Sequence, residues 1–205
     1  MKLHWSPRSP FVRKVMIVLY ETGMAERVEL VRTPVAMDKP NLALMADNPL
    51  LKLPTLVLDD DVALYDSRVI CAYLDQLAGA GLLPIDPQER LTAERRQALG
   101  DGLLDVLLLY RQERAKPPAR QTPAWLDAFA VKVSAVLACL ETEAAALRTT
   151  RFDLGLIAIG CALSYLDYRF ADLPWRARHP ALAAWHETFR ARPSVARSEP
   201  DDKAN

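Results

Sequence analysis

The chain has 205 residues, enough for one large domain or two small ones with a real core. Apolar residues make up 51% and charged residues 25%, with 26 Lys plus Arg against 26 Asp plus Glu, so no basic excess points to nucleic acid or an anionic membrane and no acidic tail dominates. The N-terminus carries no apolar signal core and the longest apolar runs are broken by Arg, Asp or Gly, so the expectation is a cytoplasmic protein with neither a membrane span nor a nucleic-acid partner.

In chain order, residues 1–5 read as a short strand that leads into Trp5-Ser6-Pro7-Arg8-Ser9-Pro10. A helix is predicted from Pro10 to Thr22, with Val12, Val15, Met16, Leu19 and Tyr20 on one side, and Gly23 ends it. Residues 27–31 alternate polar and apolar as a strand does. A strand, a helix and a strand within about 30 residues imply a parallel pair joined by a right-handed crossover. A short helix is predicted over 41–45, then a strand after Pro54, a turn at Asp59-Asp60-Asp61 and a partner strand over 62–65. Asp66-Ser67 caps a helix over 68–78 whose apolar face is Val69, Ile70, Tyr73, Leu74 and Leu77.

Residues 79–87 hold two glycines and two prolines and read as a linker. Beyond them the strand signals stop. Long helices are predicted over 88–114 and 123–148, and Thr150-Arg151-Phe152-Asp153 reads as a capping box for an almost wholly apolar helix over 154–169. A last helix runs from Pro180 to Ala191, closed by Pro193, and residues 199–205 look frayed. The pattern is an N-terminal α/β unit followed by an all-helical one.

Chemistry is sparse. Cys71, Cys139 and Cys161 are odd in number, far apart and each within an apolar helical pattern, which reads as buried structural thiols. His4, His179 and His186 have no metal-ligand spacing, no metal is expected, and no Gly-rich phosphate loop is present. Ser9 before Pro10 suits a helix N-cap, and the free N–H groups there favour an anion beside it. From the residues alone Ser9 is either a cap and nothing more, or a cap that also faces an anion. Leu53-Pro54 is either an ordinary trans proline at a strand start or a cis turn that leaves the Leu53 backbone free to pair with an extended ligand. Asp66-Ser67 is either a cap, or an acid and a hydroxyl that hold the two ends of an amino acid. Lys39 and Lys52 are either solvated or placed to neutralise a second carboxylate.

Taken together, Ser9-Pro10-Phe11-Val12-Arg13-Lys14-Val15, the Asn48-Pro49 to Leu53-Pro54-Thr55-Leu56 segment and Tyr65-Asp66-Ser67-Arg68-Val69-Ile70 resemble the glutathione S-transferase superfamily in its cytosolic, serine-type, bacterial-like form. In the second half, Thr150-x-x-Asp153 is similar to the capping box of that family's buried sixth helix, and Pro180-Ala181-Leu182 with Trp185 and Arg192-Pro193-Ser194-Val195 to its C-terminal helix. The resemblance implies an α+β two-domain fold, with a thioredoxin-like domain over 1–80, a linker over 81–87 and an all-helical domain over 88–205. It implies a homodimeric transferase of detoxification type that activates glutathione, its co-substrate, as the thiolate for attack on a small electrophile. It assigns Ser9 to the glutathione sulfur, Leu53 to backbone pairing with the cysteinyl part, with Pro54 beside it in the glutathione site, Asp66 and Ser67 to the γ-glutamyl end, and Lys52 and, less directly, Lys39 to the glycine carboxylate. The electrophile is expected between the domains, facing the sulfur, near Trp5, Arg8, Tyr110, Arg111, Arg114 and Tyr168.

Two departures stand out. Leu51 sits where many relatives carry Gly or a polar residue, so the local turn is expected to differ. Ser6 offers a second hydroxyl that is an alternative partner for the thiol. The Ser9 turn carries no cysteine, which argues against dithiol or mixed-disulfide chemistry. A non-catalytic binding or regulatory protein on the same fold, and a glutathione-dependent peroxidase, stand as alternatives.

Overall fold

The structure, a computed structural model, describes residues 1–36 and 38–200. The chain divides into two compact units, Met1–Ile85 together with the segment from Pro193, and Asp86–Arg192.

The first unit is built on a four-stranded sheet in the order β2-β1-β3-β4. Strand β1 (Lys2–Trp5) pairs in parallel with β2 (Glu29–Arg32), as the strand, helix, strand pattern predicts. It pairs antiparallel with β3 (Thr55–Val57), which in turn pairs antiparallel with β4 (Ala63–Leu64). The crossover helix α1 (Pro10–Glu21) buries Val12 to Leu19 without a break, Arg13 and Lys14 included. It packs beside α3 (Ser67–Ala78), and α2 (Leu42–Met45) lies between β2 and β3 in sequence. Leu3, Val15, Ile17, Leu19, Leu44, Leu56, Ile70 and Leu74 form the core. The polar group His4 is buried in it, with Nε2 2.7 Å from Asp47 Oδ2 and Nδ1 2.8 Å from Thr33 Oγ1. The segment after α3 is pinned: the buried Asp75 carboxylate accepts the Leu82 and Leu83 N–H groups at 2.7 and 2.9 Å.

A further helix, α9 (Pro193–Ala196), packs on α1 and buries Ser194 and Val195, where the residue pattern by itself gives Pro193 as a terminator. The Arg13 guanidinium holds it, donating to the Val195 carbonyl and the Ser198 hydroxyl at 3.3 Å each and pairing with Glu199 at 3.1 Å. The Ser194 hydroxyl donates to Glu21 at the other end of α1.

The second unit is helical. Helices α4 (Pro87–Arg114) and α6 (Leu154–Arg169) run against each other, with α5 (Pro123–Thr149) packed on α4. Contact is closest at Gly100, where a Cβ would lie 2.5 Å from the Ala158 carbonyl carbon, and at Gly155, where it would lie 2.6 Å from the Ala93 oxygen. Helix α6 is buried continuously from Leu154 to Leu166, as its all-round apolar sequence predicts. Helix α5 departs from expectation: by length and composition alone it is apolar enough to cross a bilayer. Within the unit it buries one stripe, Phe129, Val133, Leu137, Leu140, Ala144 and Leu147, and leaves Trp125 and Val131 58% and 68% exposed. Cys139 lies on the exposed part of α5, so only Cys71 and Cys161 are the buried thiols expected of all three.

The expected capping box is divided between two helices. Asp153 is itself the N-cap of α6, accepting the Leu156 N–H at 2.8 Å. Thr150 instead closes α5, its hydroxyl donating to the Ala146 carbonyl at 2.8 Å while Arg96 donates to it at 2.9 Å. Two short helices complete the unit, α7 (Trp175–Arg178) and α8 (Pro180–Arg190). His179 gives α8 no side-chain cap; the Glu141 carboxylate of α5 takes the Ala181 and Leu182 N–H groups at 3.0 and 2.7 Å.

Candidate functional site

Strand register in the first unit gathers three of the singled-out segments at one end of the strands. His4 pairs with Thr55, so the turn after β1 leaves the sheet beside Leu53-Pro54. Leu56 pairs with Leu64, so Tyr65-Asp66 leaves β4 at that same end. Ser9 is the N-cap of α1, with extended backbone and Pro10 in the first helical position. Its oxygen accepts the Val12 N–H at 3.3 Å, which uses a lone pair and leaves the hydroxyl hydrogen to donate elsewhere. Ser6 is built into the turn itself: its hydroxyl accepts the Arg8 N–H at 3.5 Å and its carbonyl the Ser9 N–H at 3.3 Å.

The loop before β3 is shaped by buried Asn48. Its amide donates to the Lys52 carbonyl at 3.2 Å and to the Thr55 hydroxyl at 2.9 Å, while its oxygen accepts the Leu50 N–H at 2.9 Å. Leu51 takes φ 54°, a left-handed conformation that glycine adopts more readily, so the sequence departure at this position sits on a backbone that a Cβ disfavours. The Leu53-Pro54 bond is cis. No backbone hydrogen bond joins Leu53 to the described residues. Lys39 and Lys52 are both exposed.

Asp66 is the N-cap of α3, accepting the Arg68 N–H at 2.9 Å, and Ser67 is the first residue of the helix. Ser67 is buried, and the Lys14 ammonium donates to its Oγ at 3.2 Å. Sequence reasoning missed Lys14. A lysine 1% exposed in the middle of a helix has no signal in periodicity, since charge ordinarily marks the solvated face.

The positions proposed for an electrophile are scattered in their local partners. The Trp5 ring lies 5.5 Å from the Arg32 guanidinium, and Arg8 is exposed. Tyr110 is buried between Phe129 and Phe170, with ring centroids 5.7 and 5.3 Å away. Arg114 lies over Tyr110 and Phe170 and pairs with Asp172 at 2.7 Å, which holds the Asp172 carboxyl below the usual range. Arg111 and Arg169 donate hydrogen bonds to the Tyr165 phenol, whose pKa is nevertheless raised because burial outweighs both. The Arg169 guanidinium stacks on the Tyr168 ring at 3.7 Å. A cavity of about 140 Å³ in this unit is lined by Tyr110, Val133, Ser134, Leu137, Trp175 and His179, among others. Of the proposed electrophile residues only Tyr110 reaches it.

The helical unit also brings together a serine, a histidine and an aspartate. Ser164 Oγ is 3.0 Å from His186 Nε2, and Asp167 Oδ2 is 3.6 Å from Nδ1. They do not form a hydrolytic triad. Arg176 donates to Nδ1 at 2.8 Å, so the ring carries its hydrogen on Nε2 and donates it to Ser164, where a base would have to accept. His186 is also fully buried. Burial acts to raise the Asp167 carboxyl, but hydrogen bonds from Arg176 and Trp175 outweigh it and leave the group ionised below its usual range. The cluster holds α6, α7 and α8 together. Among the described residues no group of His, Cys, Asp and Glu could hold a metal ion.

Residues 3–84 match the glutathione S-transferase N-terminal domain family, and residues 123–188 the glutathione S-transferase C-terminal domain family. The chain is 35% identical over 203 residues to an uncharacterized GST-like protein, YibF, of Escherichia coli K12, covering 98% of each. It is 44% identical to a glutathione transferase family member from Pseudomonas fluorescens Pf-5 whose crystal structure holds glutathione, with 98% of each chain covered and a TM-score of 0.93. A second structure from that organism, with bound S-(propanoic acid)-glutathione, is 42% identical with a TM-score of 0.90 over 98% of this chain and 99% of that one. The order of the sheet, the hydroxyl at the mouth of α1, the cis proline before β3 and these likenesses along nearly the whole chain make this protein a member of the glutathione S-transferase superfamily.

Proposed function

We propose that this protein is a glutathione transferase that holds glutathione on its first unit and activates it as the thiolate. The observation that carries the proposal is the Ser9 hydroxyl at the mouth of α1, whose oxygen accepts the Val12 N–H as the cap; a hydroxyl in that role still has its hydrogen to donate, and we assign that hydrogen to the glutathione sulfur. A free thiol has a pKa near ~8.5 and is mostly protonated at neutral pH. A hydroxyl donating to sulfur, beside the positive end of a helix dipole, favours the thiolate and releases the proton to solvent. The thiolate then attacks an electrophilic carbon: an S–C bond forms, and a leaving group departs or a π bond accepts the electron pair. Ser9 keeps its own proton throughout.

The rest of the tripeptide has matching groups. The Leu53 N–H and C=O suit the cysteinyl backbone, Asp66 the γ-glutamyl ammonium, Ser67 and the start of α3 its carboxylate, and Lys52 and Lys39 the glycine carboxylate. Relatives whose structures hold glutathione and S-(propanoic acid)-glutathione support glutathione as the ligand. A cytoplasmic location and a homodimer belong to the same proposal.

Calorimetry with glutathione, followed by conjugation of a chloronitroarene, tests the proposal. Ser9→Ala is expected to lower kcat/KM at least about tenfold and to raise the pKa of the bound thiol, read from thiolate absorbance. Wild-type protein that binds no glutathione, or a Ser9→Ala variant with unchanged rate and unchanged thiol pKa, overturns it.

A further inference from the structure

The two cations of α1 are both buried, and they do different things. Arg13 is committed to the segment after Pro193. Lys14, one residue on, reaches α3 and donates from Nζ to Ser67 Oγ at 3.2 Å. An ammonium has three donors and no acceptor, whatever else it touches. The Ser67 oxygen must therefore be the acceptor in this contact, and the single hydrogen of the hydroxyl is turned away from Lys14. In isolation a serine hydroxyl at this helix position rotates freely and can accept as readily as it donates. Lys14 removes that choice.

We infer that Lys14 is a positioning residue for glutathione, fixing the Ser67 hydroxyl as a donor toward the α-carboxylate of the γ-glutamyl group. The inference rests on the transferase reading above, and it adds a residue that touches no part of the substrate. It also explains why α1 carries a lysine on a buried surface. The ammonium strengthens the donor one bond away, because a hydroxyl that accepts from a cation is a better donor to an anion. Through Lys14 the helix that presents Ser9 to the sulfur also governs the grip on the opposite end of the tripeptide.

The test is calorimetry on the full chain with two ligands, glutathione and its analogue lacking the γ-glutamyl α-carboxylate, 4-aminobutyryl-cysteinylglycine. Lys14→Met is expected to weaken glutathione about tenfold and to leave the Kd of the analogue unchanged. In a Ser67→Ala background the same Lys14→Met change is expected to alter the glutathione Kd by less than about twofold, because the hydroxyl through which it acts is gone. Lys14→Arg, which keeps a donor, is expected to restore most of the affinity. Equal loss for both ligands, or an undiminished loss in the Ser67→Ala background, overturns the inference and leaves the transferase reading standing. Wild-type protein that binds neither ligand overturns both. Should Lys14→Met not fold, the Lys14 Nζ nitrogen resonance of the wild-type protein decides. It is expected to shift on adding glutathione and to stay in place with the analogue; equal responses to the two ligands overturn the inference.

Discussion

Single residues carry the chemistry of this chain, and most of them were readable as residue types with a known local habit. Ser9, Asp66 and Pro54 each sit where a cap or a pre-strand proline belongs, and the structure puts each in that local role. What the sequence withheld were residues whose role depends on distant partners. Lys14 and Asn48 look like ordinary polar positions until the fold buries them against Ser67 and Thr55. A second left-handed residue makes a separate test at this scale. Asp61 closes the β3–β4 hairpin with φ 66° and is exposed, so its side chain has no packing to lose. Asp61→Gly is expected to stabilise the first unit by about 0.5 kcal/mol, and Asp61→Val to destabilise it by about 1 kcal/mol, in urea titrations.

At the scale of elements, carboxylates from one segment repeatedly finish the end of another. Glu141 of α5 caps α8, Asp75 of α3 ties down the residues that follow it, and Glu113 near the end of α4 accepts the Thr122 N–H at the start of α5 at 2.7 Å. Sequence patterns find caps that lie within a few residues, and none of these do; Thr150 and Asp153 are close enough, but a hydroxyl and an acid three residues apart fit one capping box as well as the ends of two successive helices. Asp47 performs this service for β1. The hydrogen bond from His4, aided by Lys2, holds its carboxyl below the ordinary value of 3.8. A carboxyl lowered on folding stabilises the native state above its unfolded pKa, and that contribution is lost as pH falls through the lower folded value. Asp47→Asn is therefore expected to cost about 1 kcal/mol at neutral pH, with the gap to wild type closing once the pH drops below about 4. Parallel denaturation curves at both ends of that range check it.

For the whole molecule, the division into a sheet-bearing half and a helical half was legible because periodicity changes from mixed to purely helical after the Gly- and Pro-rich stretch. The closeness of α4 to α6 was not, since a glycine in a long helical pattern reads as a weak point and not as a contact. At Gly100 the neighbouring backbone leaves no room for a methyl group. Gly100→Ala is expected to destabilise the helical unit by about 3 kcal/mol despite the better helix propensity of alanine, measured by calorimetric unfolding. The return of α9 to α1 was equally silent, because Arg13 reads as a surface charge. That return has a temporal meaning. Synthesis delivers β1 and α1 first, and Val195, Ser198 and Glu199 only after the whole helical unit has been made. Until then the Arg13 guanidinium has none of these three partners, and α1 lacks the packing of Val195. A nascent chain arrested before Pro193 is thus expected to expose its first unit to protease, and a released full-length chain to resist. Helix α1, with Ser9 at its mouth, is made before the helical unit and finished only after it.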